Sequence, residues 1–226
     1  MTTGHSMKTQ TVSALPLWQP SPERMKESRL AAFMRKAGAR AGQDFADYDT
    51  LWRWSVEDTE AFWDLVWDEC GMIGEKGKTV LADSDKMPGA RFFPQARINY
   101  AQNLLRRRED APALIFRDEK GGERVISFGE LHDTASRWVQ AFRALGVKKG
   151  DRIAGFMPNM PETIIAMLAA TALGAVWSSA SPDFGVQGLL DRFGQIEPKI
   201  LIAADGYYYN GKTLDCLDKV RAVQPQ

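Results

Sequence analysis

The stretch Gly206-Tyr207-Tyr208-Tyr209-Asn210-Gly211-Lys212-Thr213 has the spacing of a phosphate loop: a glycine, four residues, then Gly-Lys-Thr. In such a loop small residues let several backbone N–H groups converge on phosphates while the lysine neutralises charge. The apolar run Lys199–Asp205 before it predicts a strand, and Leu214–Val223 after it predicts a helix, which is the context the motif needs. Three successive tyrosines argue against it, because bulky side chains suit that tight wrap poorly. Only residues 214–226 follow, leaving little room for the second acidic strand that holds Mg2+ in this NTPase class. The match is therefore read as fortuitous, with Lys212 kept as a phosphate-binding candidate. A second near-match at Gly74–Thr79 fails, since Met72 stands where the first glycine belongs and the preceding element reads as helix.

Other chemistry is sparse. Cys70 and Cys216 are the only cysteines, far apart and without metal-ligand spacing, which points to a reduced, cytoplasmic chain. His5 and His132 have no partners for a metal cluster; His132 reads as a surface residue at a helix start. Lys plus Arg and Asp plus Glu number 29 each, so no global field favours nucleic acid or an anionic membrane. Arg106-Arg107-Arg108 is the one dense basic cluster, read as the solvated end of a helix. The first twenty residues hold no apolar signal region, and the apolar stretch Ile164–Trp177 is too short to span a bilayer. Residues 4–7, Gly-His-Ser-Met, have the look of a cloning scar within a disordered leader at 1–14.

The elements that must position any site fall into two parts. Five of the seven tryptophans lie in the first third, which reads as helical. One helix is predicted from the cap Ser21 to Gly38, and another from Ser55 to Cys70, with Phe62, Leu65 and Val66 at core spacing. From Ala113 the pattern changes: two short strands flank Glu119-Lys120-Gly121-Gly122 as a hairpin. Ser127 and Glu130 then cap a helix that Gly146 ends. Strands near Ile153, Val176 and Ile200 alternate with helices of roughly a dozen residues, the signature of a parallel sheet with right-handed crossovers. Ligands of such sheets bind beyond the carboxyl ends of the strands. Two loops lie there, around Ser181-Pro182-Asp183 and around Tyr209-Asn210-Gly211-Lys212.

Three stretches, Phe92–Leu105, Leu145–Gly185 and Asp191–Lys212, resemble the acyl-CoA synthetases of the adenylate-forming superfamily, and within them the acetoacetate branch. The tryptophan-rich start is similar to the N-terminal cap module of the acetyl-CoA synthetase group. Acetyl-specific relatives carry a His-Ser and a Gly-Gly-containing loop where this chain has Trp177–Gly185. The resemblance implies an α/β fold: a helical cap module over 15–108, then the first part of the large AMP-binding domain over 109–226, with a mainly parallel sheet. It implies an acid–thiol ligase that uses ATP, coenzyme A and Mg2+ and joins acetoacetate to CoA through an acyl-adenylate. It also implies that Tyr209, Asn210, Gly211 and Lys212 contact CoA phosphates, and that Ser181, Pro182 and Asp183 line the CoA entrance. Tyr209 stands where acetyl-specific relatives have an arginine, and the Ser181–Asp183 turn departs from the family residues.

The nucleotide loop, the ribose-binding acid and the catalytic lysine of the family have no match in this chain. The expectation is an N-terminal portion, inactive alone, with no catalytic or metal residue of its own and a sheet edge open to self-association. Another short-chain acid as substrate, or a non-catalytic truncated protein, are the alternatives.

Overall fold

The computed structural model describes residues 16–223; the expected leader at 1–14, with His5, lies outside the described residues. In chain order the elements are α1 (Pro22–Lys26), α2 (Arg29–Ala41), α3 (Tyr48–Glu57), α4 (Thr59–Glu69), β1 (Gly74–Glu75), β2 (Leu81–Ala82), β3 (Arg91–Phe92), β4 (Arg97–Ile98) and α5 (Tyr100–Leu104). There follow β5 (Pro112–Arg117), β6 (Glu123–Ser127), α6 (Phe128–Ala144), β7 (Arg152–Phe156), α7 (Pro161–Ala172), β8 (Val176–Ala180) and α8 (Val186–Ile196). The chain closes with β9 (Ile200–Ala203), β10 (Gly206–Tyr209), β11 (Lys212–Asp215) and α9 (Leu217–Val223). Described residues up to Met72, with Val80–Phe92, form one compact unit; Ile73–Thr79, with residues from Phe93 on, form another.

The first unit is helical, but its helices break at other places than the sequence suggested. The helix expected from Ser21 to Gly38 is two, because two serines act as caps. The Ser21 hydroxyl accepts from the Arg24 N–H at 3.3 Å and the Ser28 hydroxyl from the Ala31 N–H at 3.1 Å. Gly38 lies inside α2, where a Cβ would stand 2.7 Å from the Gln43 carbonyl oxygen. It is a close approach, and the helix ends instead at Gly42, with φ +67°. Ser55 likewise falls within α3; Asp47 and Asp58 supply the caps of α3 and α4. Ala37, Leu51, Trp54 and Leu65 form the buried core here, with Trp54 ringed by Phe45 and Phe62. Trp52 stays exposed, whereas Trp63, exposed on one side, meets the rings of Phe62 and Phe92 edge-on.

In the second unit the parallel sheet has the order β8-β7-β9. The chain steps from β7 to β8 on one side and then back across β7 to β9. Right-handed crossovers therefore put α7 and α8 on opposite faces. Alternation along β7 serves both: Ile153 packs with Phe142, Ala169 and Ala170, while Ala154 and Phe156 pack with Leu189 and Phe193. Gly155 leaves room for Trp177, whose ring a Cβ there would meet at 2.6 Å. The remaining strands form antiparallel pairs, β5 with β6 among them. The predicted capping box of α6 is present: Ser127 Oγ accepts from the Glu130 N–H at 3.2 Å, and Glu130 Oε2 from the Ser127 N–H at 2.8 Å. Arg106–Arg108 do not close a helix, since α5 stops at Leu104. Arg107 instead pairs with Glu109 at 2.5 Å, and Arg108 reaches the ring of His132 at 2.6 Å. His132 is half-buried in the second turn of α6 rather than a free surface residue.

Candidate functional site

Strand β8 delivers the chain into the turn Ser181-Pro182-Asp183, at the carboxyl edge of the parallel sheet. Pro182 is fully buried, so the turn is anchored, and Lys219 of α9 donates to its carbonyl at 2.8 Å. Asp183 accepts two hydroxyl hydrogen bonds, from Tyr207 at 2.6 Å and from Ser181 at 2.7 Å. These two donors, Tyr207 foremost, hold its carboxyl below the usual aspartate range. The same bond and some burial push the Tyr207 phenol up to about 12. Cys216 is buried behind Tyr207, and desolvation raises its thiol, with Lys219 opposing.

Tyr207 belongs to a hairpin, and here the structure departs most from a literal reading of the motif. Gly206–Thr213 is no loop before a helix; β10 and β11 pair antiparallel with Tyr209 opposite Lys212. Asn210 (φ +49°) and Gly211 (φ +74°) make the two-residue turn, the left-handed pair that Asn-Gly favours. The tyrosines prefer strand, and a ladder directs backbone N–H groups across to the partner strand, so they cannot wrap a phosphate. Leu214–Cys216, expected to be helical, complete β11 and lead into α9, which starts only at Leu217.

The tip of this hairpin is held from another element. The N–H groups of Asn210 and Gly211 donate to the two carboxylate oxygens of Glu119, each at 3.1 Å, and Glu119 lies in the β5–β6 connection. Lys120 beside it sits 4.7 Å from the Tyr208 ring centre and 3.5 Å from Thr213 Oγ1. A cavity of about 310 Å3 opens under the hairpin, walled by Phe116, Asp118, Glu119, Met160, Tyr207 and Tyr208.

The residues proposed from the sequence thus fall into two groups. Ser181, Pro182 and Asp183 are gathered with Tyr207 at the hairpin's base. Tyr209, Asn210, Gly211 and Lys212 form its exposed tip, whose polar contacts go to Glu119 and not to the turn. Sequence reasoning missed Tyr207, Glu119, Lys120 and Lys219. Asn-Gly between alternating residues signalled the hairpin; nothing local signals Glu119, ninety-odd residues away. The arrangement can bind an anion through backbone N–H groups and lysines. Among the described residues no group of three or more His, Cys, Asp or Glu is placed to hold a metal ion. No described helix is long and apolar enough to cross a membrane.

Comparison with known proteins bears on both units. Residues 101–226 match the family model described as AMP-binding enzyme, and residues 48–104 match the acetyl-coenzyme A synthetase N-terminus. An acetoacetyl-coenzyme A synthetase of Rhizobium meliloti is 53% identical over 208 residues, 92% of this chain and 32% of that relative. One from Macaca fascicularis is 37% identical, over 92% of this chain and 31% of its own length. The solved acetoacetyl-CoA synthetase from Streptomyces lividans superposes with a TM-score of 0.88 at 39% identity, covering 93% of this chain and 33% of that one. The chain therefore spans about a third of the length of the relatives it matches.

Proposed function

This chain belongs to the AMP-binding enzyme family, and on that premise we propose that it serves an acetoacetate–CoA ligase and carries the part that receives the CoA thiol substrate. The reaction consumes acetoacetate, ATP and CoA and yields acetoacetyl-CoA, AMP and pyrophosphate. ATP converts the carboxylate into an acyl-adenylate, so that AMP leaves when the thiol attacks, and Mg2+ would assist at a site other than these residues. The similarity to acetoacetyl-CoA synthetases supports the acid. In this reading residues 15–108 are the cap module and 109–226 the first part of the AMP-binding domain, in a cytoplasmic enzyme.

The observation that carries the CoA assignment is the hairpin, a rigid arm at the carboxyl end of the parallel sheet. Its base is tied to the Ser181–Asp183 turn by the Tyr207–Asp183 bond. Its exposed tip carries Lys212, with Tyr209 flanking, and the N–H groups of Asn210 and Gly211 there already hold an anion, the Glu119 carboxylate, at 3.1 Å each. Binding by such groups orients a phosphate-rich substrate and neutralises its charge without taking part in bond making. Ser181, Pro182 and Asp183 contribute by fixing the arm.

The test joins this chain to the remaining two thirds of the Rhizobium meliloti relative and assays the chimera with ATP, CoA and either acetoacetate or acetate. Acetoacetyl-CoA formation that exceeds acetyl-CoA formation supports the reading, with the 226-residue chain alone expected to form neither. Preference for acetate, or thioester formation indifferent to the acid, would overturn the acetoacetate assignment.

A further inference from the structure

We propose that Glu119 is an internal stand-in for a phosphate: its carboxylate occupies the hairpin tip, and an incoming phosphate of the thiol substrate must displace it. This rests on the CoA-binding reading above and adds to it a residue that sets how readily the tip accepts its ligand.

Asn210 and Gly211 both have left-handed backbones, and this brings two successive N–H groups to one side of the turn. Such a concavity takes anions. It already holds one, since each oxygen of the Glu119 carboxylate accepts one of the two N–H groups at 3.1 Å. That two-oxygen, two-donor arrangement is the one a phosphate would make. The neighbouring carboxylate is not available for the role. Asp118 Oδ1 accepts from the N–H groups of Lys120 and Gly122 at 2.8 Å each and so closes its own turn. Glu119 is free of its own hairpin and reaches across to the other.

The cations around the tip suit a stronger anion than one carboxylate. Lys212 opens β11 directly after the turn, and Lys120 lies over Tyr208 with its ammonium near Thr213. Glu119, Asn210 and Lys212 are all exposed, so exchange needs no unfolding, only rotation of the Glu119 side chain. Glu119 is also part of the wall of the cavity of about 310 Å3 beneath the hairpin. Its departure would widen the mouth next to Tyr208, where an organic body attached to the phosphate could lie.

Removing the carboxylate should help the ligand, whereas a mere tether should hurt it. The 226-residue chain and its Glu119→Gln, Glu119→Ala and Lys212→Ala variants are titrated with CoA and, separately, with inorganic pyrophosphate. Heat and the backbone amide resonances of Asn210 and Gly211 are followed. Glu119→Gln is expected to tighten CoA about two- to fivefold, because a like charge leaves an exposed site, and Lys212→Ala to weaken it. If CoA binds but neither Glu119 variant tightens it, Glu119 is only a brace and the proposal fails while CoA binding stands. If pyrophosphate moves both amides, more strongly without Glu119, but CoA does not bind, the stand-in role holds and the CoA reading falls. If neither probe moves those amides in any variant, both fall.

Discussion

The Tyr207 hydroxyl donates to Asp183 Oδ1 at 2.6 Å, joining the hairpin β10–β11 to the turn that follows β8. Twenty-four residues separate the two, so the bond fixes where the arm stands relative to the sheet edge. Its ionisation has a defined sign. A carboxyl depressed in the folded state adds stability above its ordinary value and loses it as pH falls through the depressed one. A phenol raised in the folded state adds stability below its ordinary value, near 10, and loses it as pH climbs toward about 12. Phenolate absorbance followed from pH 9 upward should therefore show a late component near 12 that vanishes in Tyr207→Phe. If the titration of the variant matches the parent, the bond is not kept in solution.

Lys212→Ala, in the chimera with the relative's remaining two thirds, separates the two readings of the motif. A lysine that neutralises a CoA phosphate predicts a rise in KM for CoA of about tenfold, the lower end for a charge-assisted contact because Lys212 is exposed. Acetoacetate-dependent pyrophosphate release without CoA should be unchanged. A selective loss of ATP affinity would instead revive the phosphate-loop reading.

Gly155→Ala tests the packing beneath the site. A Cβ would stand 2.6 Å from the Trp177 ring across the β7–β8 pair, where the central strand is paired on both sides and the half-buried indole is packed against the core. We expect a loss of about 1–3 kcal/mol, read as a lower denaturation midpoint with unchanged slope. A midpoint equal to the parent's would show that Trp177 has another place to go.

The sheet edges predict association. Each of β8 and β9 has one side without a strand partner among the described residues, and Val176 of β8 is 53% exposed. Unpaired edges with apolar neighbours template pairing. Sedimentation of the 226-residue chain at increasing concentration should show dimers or larger species, relieved by Val176→Lys. A compact monomer throughout, binding no hydrophobic dye, would mean the edges are protected.

Periodicity and local signals were enough for the parallel sheet, for the order of strands and helices from Ala113 to Ala203, and for the box of Ser127 and Glu130, because each depends on residues close in sequence. The first unit was legible only as helical. Ser28 starts a helix by accepting from the Ala31 N–H, whereas Ser55 donates to the Trp52 carbonyl inside α3, and Gly38 lies mid-helix with the left-handed Gly42 ending it; residue types alone do not say which serine or glycine takes which part. The resemblance to acyl-CoA synthetases was likewise present in the residues, since long matched stretches are sequence facts. The candidate site divides the same way. Gly206–Thr213 has the spacing of a phosphate loop, but a strand ladder fixed by tyrosines and an Asn-Gly turn decides its shape. The bonds of that hairpin to Asp183 and Glu119 close over separations that no local pattern encodes, so only the folded chain could reveal them.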